Sequence, residues 1–499
     1  MRINGMVFYF YFPNPISYLI RNTDFCKIEC KAALILREQA MSQTNRRDFL
    51  KMMGLSAASV ILPGNATSSG HSLTEISGSR PNIVIVLCDD LGFGDLSCYG
   101  HPHIKTPHLD KFAAEGMKLT DCYAAAPVCS PARAGMLTGR TPYRCGIYDW
   151  IPANSPMHLR RPELTVATML RDSGYATCHT GKWHCNGKFN SPEQPQPDDH
   201  GFEHWFSTQN NARPTHHNPK NFVRNGEPAG QLQGYSSELI VQEAIDWLGT
   251  KPDRSRPFCL FVWFHAPHEP IATAPRFMKM YEGKKEAIYY GNVTQMDHEF
   301  GRLMKTLDEM ELREKTFVMF TSDNGPETLN RYRGANRSFG SSGPLRGMKL
   351  HMYEGGIRVP GIIRWPGRTK PDSECHEPVN GTDILPSLCE MAGVEVPAGR
   401  TIDGTSFLPL LQGAKLKRKV PLYWRYDRAL SKPFTAAMRE GDWKILADNE
   451  MTKFELYNLR EDIAENHNLA DIQTERLAAM KKTLAKLHAE IDAEGPNWD

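Results

Sequence analysis

The sequence has no run of about 20 consecutive apolar residues, so it offers no segment able to cross a bilayer as a helix. It also lacks an excess of either charge. Its 59 Lys and Arg residues face 57 Asp and Glu residues, a net charge of +2. That excludes a nucleic-acid binder driven by bulk charge. There is no internal repeat and no low-complexity tract. The twelve cysteines include no pair of CxxC knuckles, which argues against zinc ribbons. What is present suits a globular protein: 40% hydrophobic and 23% charged residues. At roughly 150 residues per domain the length allows about three domain-sized units, or one large α/β core with smaller additions.

The N-terminus stands apart. Asn45-Arg46-Arg47-Asp48-Phe49-Leu50-Lys51 precedes a mildly apolar stretch from Met52 to Leu62. A paired arginine ahead of such a segment resembles a bacterial twin-arginine export signal over residues 41–66, with Met41 as a start and Gly64-Asn65-Ala66 as a weak cleavage site. Residues 1–40 show no steady period and read as an upstream extension outside the mature protein. An exported chain is expected in the periplasm or outside the cell, where disulfides form, but spacing does not reveal partners.

Further on, short apolar runs alternate with amphipathic segments. Ile83 to Leu87, Phe258 to Phe264 and Phe317 to Phe320 read as strands buried on both faces. Residues 236–248 carry Leu239, Ile240, Ala244 and Trp247 near helical spacing. Residues 291–312 place Val293, Met296, Phe300, Leu303, Leu307 and Met310 three or four apart, a core-facing helical stripe. This alternation predicts an α/β domain over residues 80–412, with a mainly parallel sheet covered by helices on both faces. Residues 185–235 are rich in Pro, Asn, Gln and His and read as long surface loops. From residue 413 to 499, Trp- and Tyr-rich short strands precede a helix with Leu477, Met480, Leu484, Leu487 and Ile491 on one stripe. That pattern predicts a small C-terminal α+β subdomain.

Ligands in open α/β sheets gather at the carboxyl ends of strands. Asp89-Asp90 follows the first buried strand, and Thr321-Ser322-Asp323-Asn324-Gly325 follows another. Either alone reads as a solvated turn. Two such ends in one sheet point to a shared oxygen-ligand site for a hard cation.

Cys129-Ser130-Pro131-Ala132-Arg133, followed by Leu137-Thr138-Gly139-Arg140, closely resembles the sulfatase family, whose core is Cys-x-Pro-x-Arg. Ala132 departs from the family's commoner serine. The other family stretches appear in order. They are Gly181-Lys182-Trp183-His184, His265-Ala266-Pro267-His268-Glu269-Pro270, and Gly343 to Lys349 running into Glu354 to Pro360. Asp403-Gly404 with Ser406-Phe407, and Glu455 to Leu459, match its C-terminal landmarks, so the resemblance spans about residues 80–470.

The resemblance implies an alkaline-phosphatase-like fold and a sulfuric ester hydrolase. It implies that Cys129 is oxidised by a formylglycine-generating enzyme to formylglycine (3-oxoalanine). It assigns a calcium ion to Asp89, Asp90, Asp323, Asn324 and an oxygen of modified Cys129, with magnesium less suited. One hydroxyl of the hydrated aldehyde would attack sulfur, and the second would let sulfate leave by elimination. Lys182 and Lys349 would neutralise the transferring group. Arg133 would steady the formylglycine, and His184 would bond its hydroxyl. His268 would protonate the departing alcohol, with His265 the nearby competitor.

The expected substrate is a sulfated carbohydrate of the polysaccharide or glycosaminoglycan type. His204, Trp205, Asn210, Asn211, Arg213, His216 and His217 are candidates to contact sugar, or else members of a solvated loop. The twin-arginine translocase is an expected partner. Nucleic acid is not. The alternative activity is a phosphoric or phosphonic ester hydrolase of the same superfamily.

Overall fold

The computed structural model describes residues 80–250, 253–327 and 339–498. The twin-arginine segment and the upstream extension lie outside the described residues. Twelve strands precede the C-terminal region in chain order. They are β1 (Asn82–Asp89), β2 (Met117–Leu119), β3 (Cys122–Tyr123) and β4 (Ala176–Lys182); β5 (His204–Thr208), β6 (Val223–Arg224), β7 (Glu227–Pro228) and β8 (Phe258–Pro267); β9 (Thr316–Ser322), β10 (Gly361–Arg364), β11 (Ser373–Cys375) and β12 (Val379–Asn380). Ten of them form one sheet in the order β11-β2-β10-β9-β1-β8-β4-β5-β6-β7. The middle five, β9 to β5, are mutually parallel, and antiparallel pairings appear where β10 and β6 join.

The alternation of β1 shows why a continuous apolar run is needed. Ile83, Ile85 and Leu87 enter one hydrophobic cluster, while Val84, Val86 and Cys88 enter another on the opposite face. Among the helices are α1 (Pro107–Ala114), α2 (Cys129–Thr138), α3 (Val166–Asp172), α4 (Ser236–Thr250), α5 (Pro275–Lys279) and α6 (Ala287–Glu309). Beyond them lie α7 (Glu354–Ile357), α8 (Ile384–Ala392), α9 (Leu408–Leu411) and α10 (Thr474–Glu494). The first cluster takes Met136 and Leu137 of α2, Val166 of α3 and Leu388 of α8. The second takes Phe112 of α1, Ile240 and Ala244 of α4, and Met296, Phe300 and Leu303 of α6. The sheet is therefore sandwiched by helices, as the alternation of patterns predicts. Met310 falls just past the end of α6.

The region 185–235 differs from its expected loop character. It contributes β5, a parallel strand with Trp205 and Phe206 buried, and the small β6–β7 hairpin. At five residues, with His, Ser and Thr around its two aromatics, β5 has no apolar run to announce it. Pairing with β4 and burial create the strand.

The C-terminal region forms a separate antiparallel sheet: β13 (Leu422–Arg425), β14 (Phe434–Glu440), β15 (Trp443–Asp448) and β16 (Phe454–Asn458). One face packs Met438, Ile445 and Leu456 against Met480, Leu484, Leu487 and Ile491 of α10. The other face puts Trp424, Ala437 and Leu446 in a cluster that contains Val128, Cys129 and Leu350. The small sheet thus backs onto the start of α2. Among the described residues no helix is long and apolar enough to cross a membrane.

Gly181 marks the tightest approach between two site-bearing strands. Its φ is +110°, and a Cβ there would sit 1.8 Å from the Trp263 carbonyl oxygen of β8. Any side chain forces β4 away from β8 one residue before Lys182. Gly181→Ala is expected to lower the unfolding free energy by about 3 kcal/mol or more. Urea denaturation checks this, and a midpoint within error of wild type would refute the close-approach argument.

Candidate active site

Four parallel strands end at the same place. β1 delivers Asp89 and Asp90, β9 delivers Asp323 and Asn324, β4 delivers Lys182 and His184, and β8 delivers His265 and His268. Helix α2 starts there with Cys129 as its first helical residue, after the extended Val128. Asp90 (φ 63°) and His184 (φ 55°) adopt the left-handed conformation, which turns each chain sharply after its strand.

Three carboxylates are almost completely enclosed: Asp89, Asp90 and Asp323 are 0–2% exposed. Three cations answer them. Lys182 Nζ lies 2.5 Å from Asp89 Oδ2. Lys349 Nζ lies 2.7 and 2.8 Å from the two oxygens of Asp90, and 3.6 Å from Glu327. Arg133 donates from Nε and Nη2 to Asp323 Oδ2 at 3.0 and 2.7 Å, and from Nη1 to the Lys182 carbonyl at 2.7 Å. Its guanidinium lies 5.0 Å from the Trp263 ring centroid, so an aromatic face completes its packing. Asn324 Nδ2 donates to Asp90 Oδ1 at 2.7 Å, and the Asp90 amide donates to Asp323 Oδ1 at 3.2 Å.

The electrostatics follow from this enclosure. Burial raises the pKa of Asp89, but Lys182, His268, Arg133 and Lys349 outweigh it and hold the carboxyl well below its usual range. Asp90 is likewise held down, with Lys349 and His268 overcoming burial. Asp323 is pushed up to about 7 by burial and by the Asp89 charge. Burial pulls Lys349 down, yet Asp90 leads the negative charges that keep it well above normal. Burial lifts the Cys129 thiol against the pull of Lys182 and Lys349.

Donor atoms converge. One ligand atom each from Asp89, Cys129 and Asp323 lies within 4.8 Å of the others, and the same holds for Asp89, Asp90 and His268. Asp89 Oδ1 and Asn324 Oδ1 are buried without a hydrogen-bond donor. Clustered oxygens with open lone pairs fit a hard cation.

The histidines differ in setting. His184 is buried, with Nε2 3.1 Å from the Ile151 carbonyl and Nδ1 without a partner. Burial, Lys182 and Arg133 keep it neutral, well below the usual histidine pKa. His268 keeps 15% of its side chain exposed and places Nε2 3.5 Å from Asp90 Oδ2, while Nδ1 bonds the Glu269 carbonyl. Burial lowers its pKa, with Asp90 and Asp89 opposing. His265 is fully buried and joined through Nε2 to Thr208 Oγ1 at 2.7 Å. Burial and His216 place it well below the ordinary value.

All the residues singled out by sequence thus meet at one place. The candidate sugar contacts divide: Asn211 Nδ2 donates to the Glu269 carbonyl at 2.9 Å beside His268, and the Asn210 carbonyl accepts from Thr208 Oγ1 at 2.6 Å, whereas His204 and Trp205 lie away from the site. His204 pairs with Glu243 at 2.9 Å, and Trp205 is packed against Phe189. Both open β5 at its far end from Thr208, so strand position removes them from the site. His216 is buried 5.1 Å, ring to ring, from His265, while Arg213 and His217 are exposed. Thr208, Glu327 and the Ile151 carbonyl escaped the sequence reading. Thr208 is itself a strand end, a signal hidden because β5 was read as loop.

Comparison with known proteins agrees with this geometry. The sulfatase family model matches residues 81–394, and the model for the C-terminal part of N-sulphoglucosamine sulphohydrolase matches residues 348–493. Human arylsulfatase A is 33% identical over 460 residues, covering 83% of this chain and 88% of its own. Dog N-acetylgalactosamine-6-sulfatase is 32% identical over 375 residues, covering 70% of each. The crystal structure of Ps i-CgsB in complex with k-i-k-neocarrahexaose superposes with a TM-score of 0.74 at 26% identity, covering 84% of this chain and 94% of that one. With the family model spanning more than half of its length, the chain belongs to the sulfatase family and is a sulfuric ester hydrolase.

Proposed function

We propose that the enzyme removes sulfate from sulfated carbohydrate, using a formylglycine made from Cys129 beside a calcium ion. The observation that carries the reading is the convergence of Cys129 with Asp89 and Asp323, among oxygens that lack donors. The carbohydrate follows from the relatives: one is named for N-acetylgalactosamine, and Ps i-CgsB holds a neocarrahexaose.

Asp89, Asp90, Asp323, Asn324 and an oxygen of modified Cys129 would hold the cation, whose charge would polarise sulfate oxygens and favour an ionised nucleophile. Formylglycine would supply a hydrated aldehyde, with one hydroxyl as nucleophile and a second to drive sulfate release. The chain's own residues do the rest. Lys182 and Lys349, fixed by Asp89 and Asp90, present ammonium groups to the sulfuryl oxygens. Arg133 orients Asp323 and ties it to the end of β4. The bond from His184 Nε2 to the Ile151 carbonyl fixes the proton on that nitrogen. It leaves Nδ1 buried with an open lone pair, able to accept a proton. The Glu269 carbonyl likewise takes the Nδ1 proton of His268, which leaves Nε2, 3.5 Å from Asp90 Oδ2, as the nitrogen that would carry a transferable second proton. The twin-arginine segment carries the proposal of export to the periplasm or beyond, with the translocase and the formylglycine-generating enzyme as partners.

Two measurements test this. Oxidation of Cys129 lowers the mass of its peptide by roughly 18 Da. Fully active enzyme carrying only the thiol would overturn the nucleophile assignment. General acid catalysis contributes about 10²–10⁴-fold, and most where the leaving group is a strong base. His268→Ala is expected to lose on that order with a sulfated sugar and distinctly less with an aryl sulfate. His265→Ala should lose less, and evenly. Equal losses on both substrates for His268→Ala would contradict its role as the acid.

A further inference from the structure

Two segments, a loop and a turn of the small sheet, lie beside the site and meet at one carboxylate. Asp149-Trp150-Ile151 is the first. The Ile151 amide donates to Ser130 Oγ at 3.0 Å, and the Ile151 carbonyl bonds His184, so this segment lies beside the nucleophile. Tyr426 to Leu430 is the second, the turn between β13 and β14. Tyr426 and Ala429 share a cluster with Cys129 and Leu350, and the Leu430 amide donates at 2.8 Å to the Leu350 carbonyl, next to Lys349.

Asp149 joins the two. Its Oδ1 accepts from the Trp150 amide at 2.7 Å and from the Tyr426 hydroxyl at 2.8 Å. Its Oδ2 lies 3.0 Å from Arg428 Nη1. On these two segments, next to a site lined with charge, two large apolar side chains are open: Trp150 at 44% and Leu430 at 45% exposure. Arg428, 78% exposed, stands with them. Exposing an indole is unfavourable unless something covers it. Here its backbone is fixed by Asp149 on one side and by Ser130 on the other, so little ordering is needed before a partner lands on it.

We infer that Trp150, Leu430 and Arg428 form a substrate subsite, rested on the sulfated-carbohydrate reading above. Trp150 and Leu430 take the apolar C–H face of a sugar ring, and Arg428 takes a second anion, a carboxylate or another sulfate, on the same saccharide. An exposed ion pair such as Arg428–Asp149 contributes little by itself, and a guanidinium has five N–H donors, so binding Asp149 leaves several for the ligand. The preferred substrate is therefore an oligosaccharide carrying more than one negative group.

The test compares kcat/KM of wild type, Trp150→Ala, Trp150→Phe and Arg428→Gln on three substrates. These are 4-nitrophenyl sulfate, a singly sulfated neutral oligosaccharide, and an oligosaccharide bearing sulfate plus a carboxylate or second sulfate. Trp150→Ala is expected to lower the ratio of saccharide to aryl sulfate kcat/KM about tenfold, mainly through KM, with Trp150→Phe recovering part of it. Arg428→Gln is expected to erase the preference for the multiply charged saccharide, and high salt should weaken that preference in wild type. Proportional losses on all three substrates, or unchanged saccharide ratios in both variants, would overturn the subsite while leaving the sugar reading intact. A wild type that turns over 4-nitrophenyl sulfate but no saccharide would overturn both.

Discussion

The architecture turns on placing three carboxylates in a nearly water-free pocket at the ends of adjacent strands. Each would be costly alone, since desolvating an unpaired charge costs several kcal/mol. The cost is offset because each acid faces a cation from a separate part of the chain: Arg133 from α2, Lys182 from β4, and Lys349 from the segment after residue 339. The pairs therefore act as fasteners between elements as well as chemical groups. Losing one cation does more than remove a charge. It leaves a buried negative charge without an answer, and the strand ends lose their common anchor.

The parts of this design that were legible in the sequence are those written locally. Ile83 to Leu87 is apolar at every position because β1 is buried on both faces, and that needs no tertiary knowledge. Asp89-Asp90 and Asp323-Asn324 were legible as paired strand ends. Lys182, His184, His268 and Lys349 were legible only through the resemblance, since nothing in their local pattern distinguishes them from surface residues. What stayed hidden was made by pairing across the chain. Thr208 matters because β5 lies beside β4, and β5 is too short and polar to stand out. Asp149 looks like any surface acid until Tyr426 arrives from 277 residues away.

The second sheet has two faces with separate tasks. Its α10 face is ordinary apolar packing that stabilises the small unit. Its other face shares a cluster with Cys129 and includes Trp424, whose indole donates at 2.8 Å to the Ala124 carbonyl ahead of α2. The turn between β13 and β14 is held beside Cys129 and Leu350 by that docking. The charged strand ends belong to the large sheet, whereas the surroundings of Cys129 are shared between both. Substitutions in that turn therefore change the surroundings of Cys129 without moving any strand end that carries charge.

The enclosure of α2 also dictates an order of events. Cys129 is 3% exposed, and Arg133, the other fixed point of its motif, is completely buried and committed to Asp323. An enzyme that must recognise both residues in order to oxidise the thiol cannot reach them once the helix has closed against the sheet. The modification proposed for Cys129 therefore has to be made on the nascent or still unfolded chain. On that proposal folding speed sets the time allowed for it, and a molecule that folds too early would be well formed and stable but would keep its thiol.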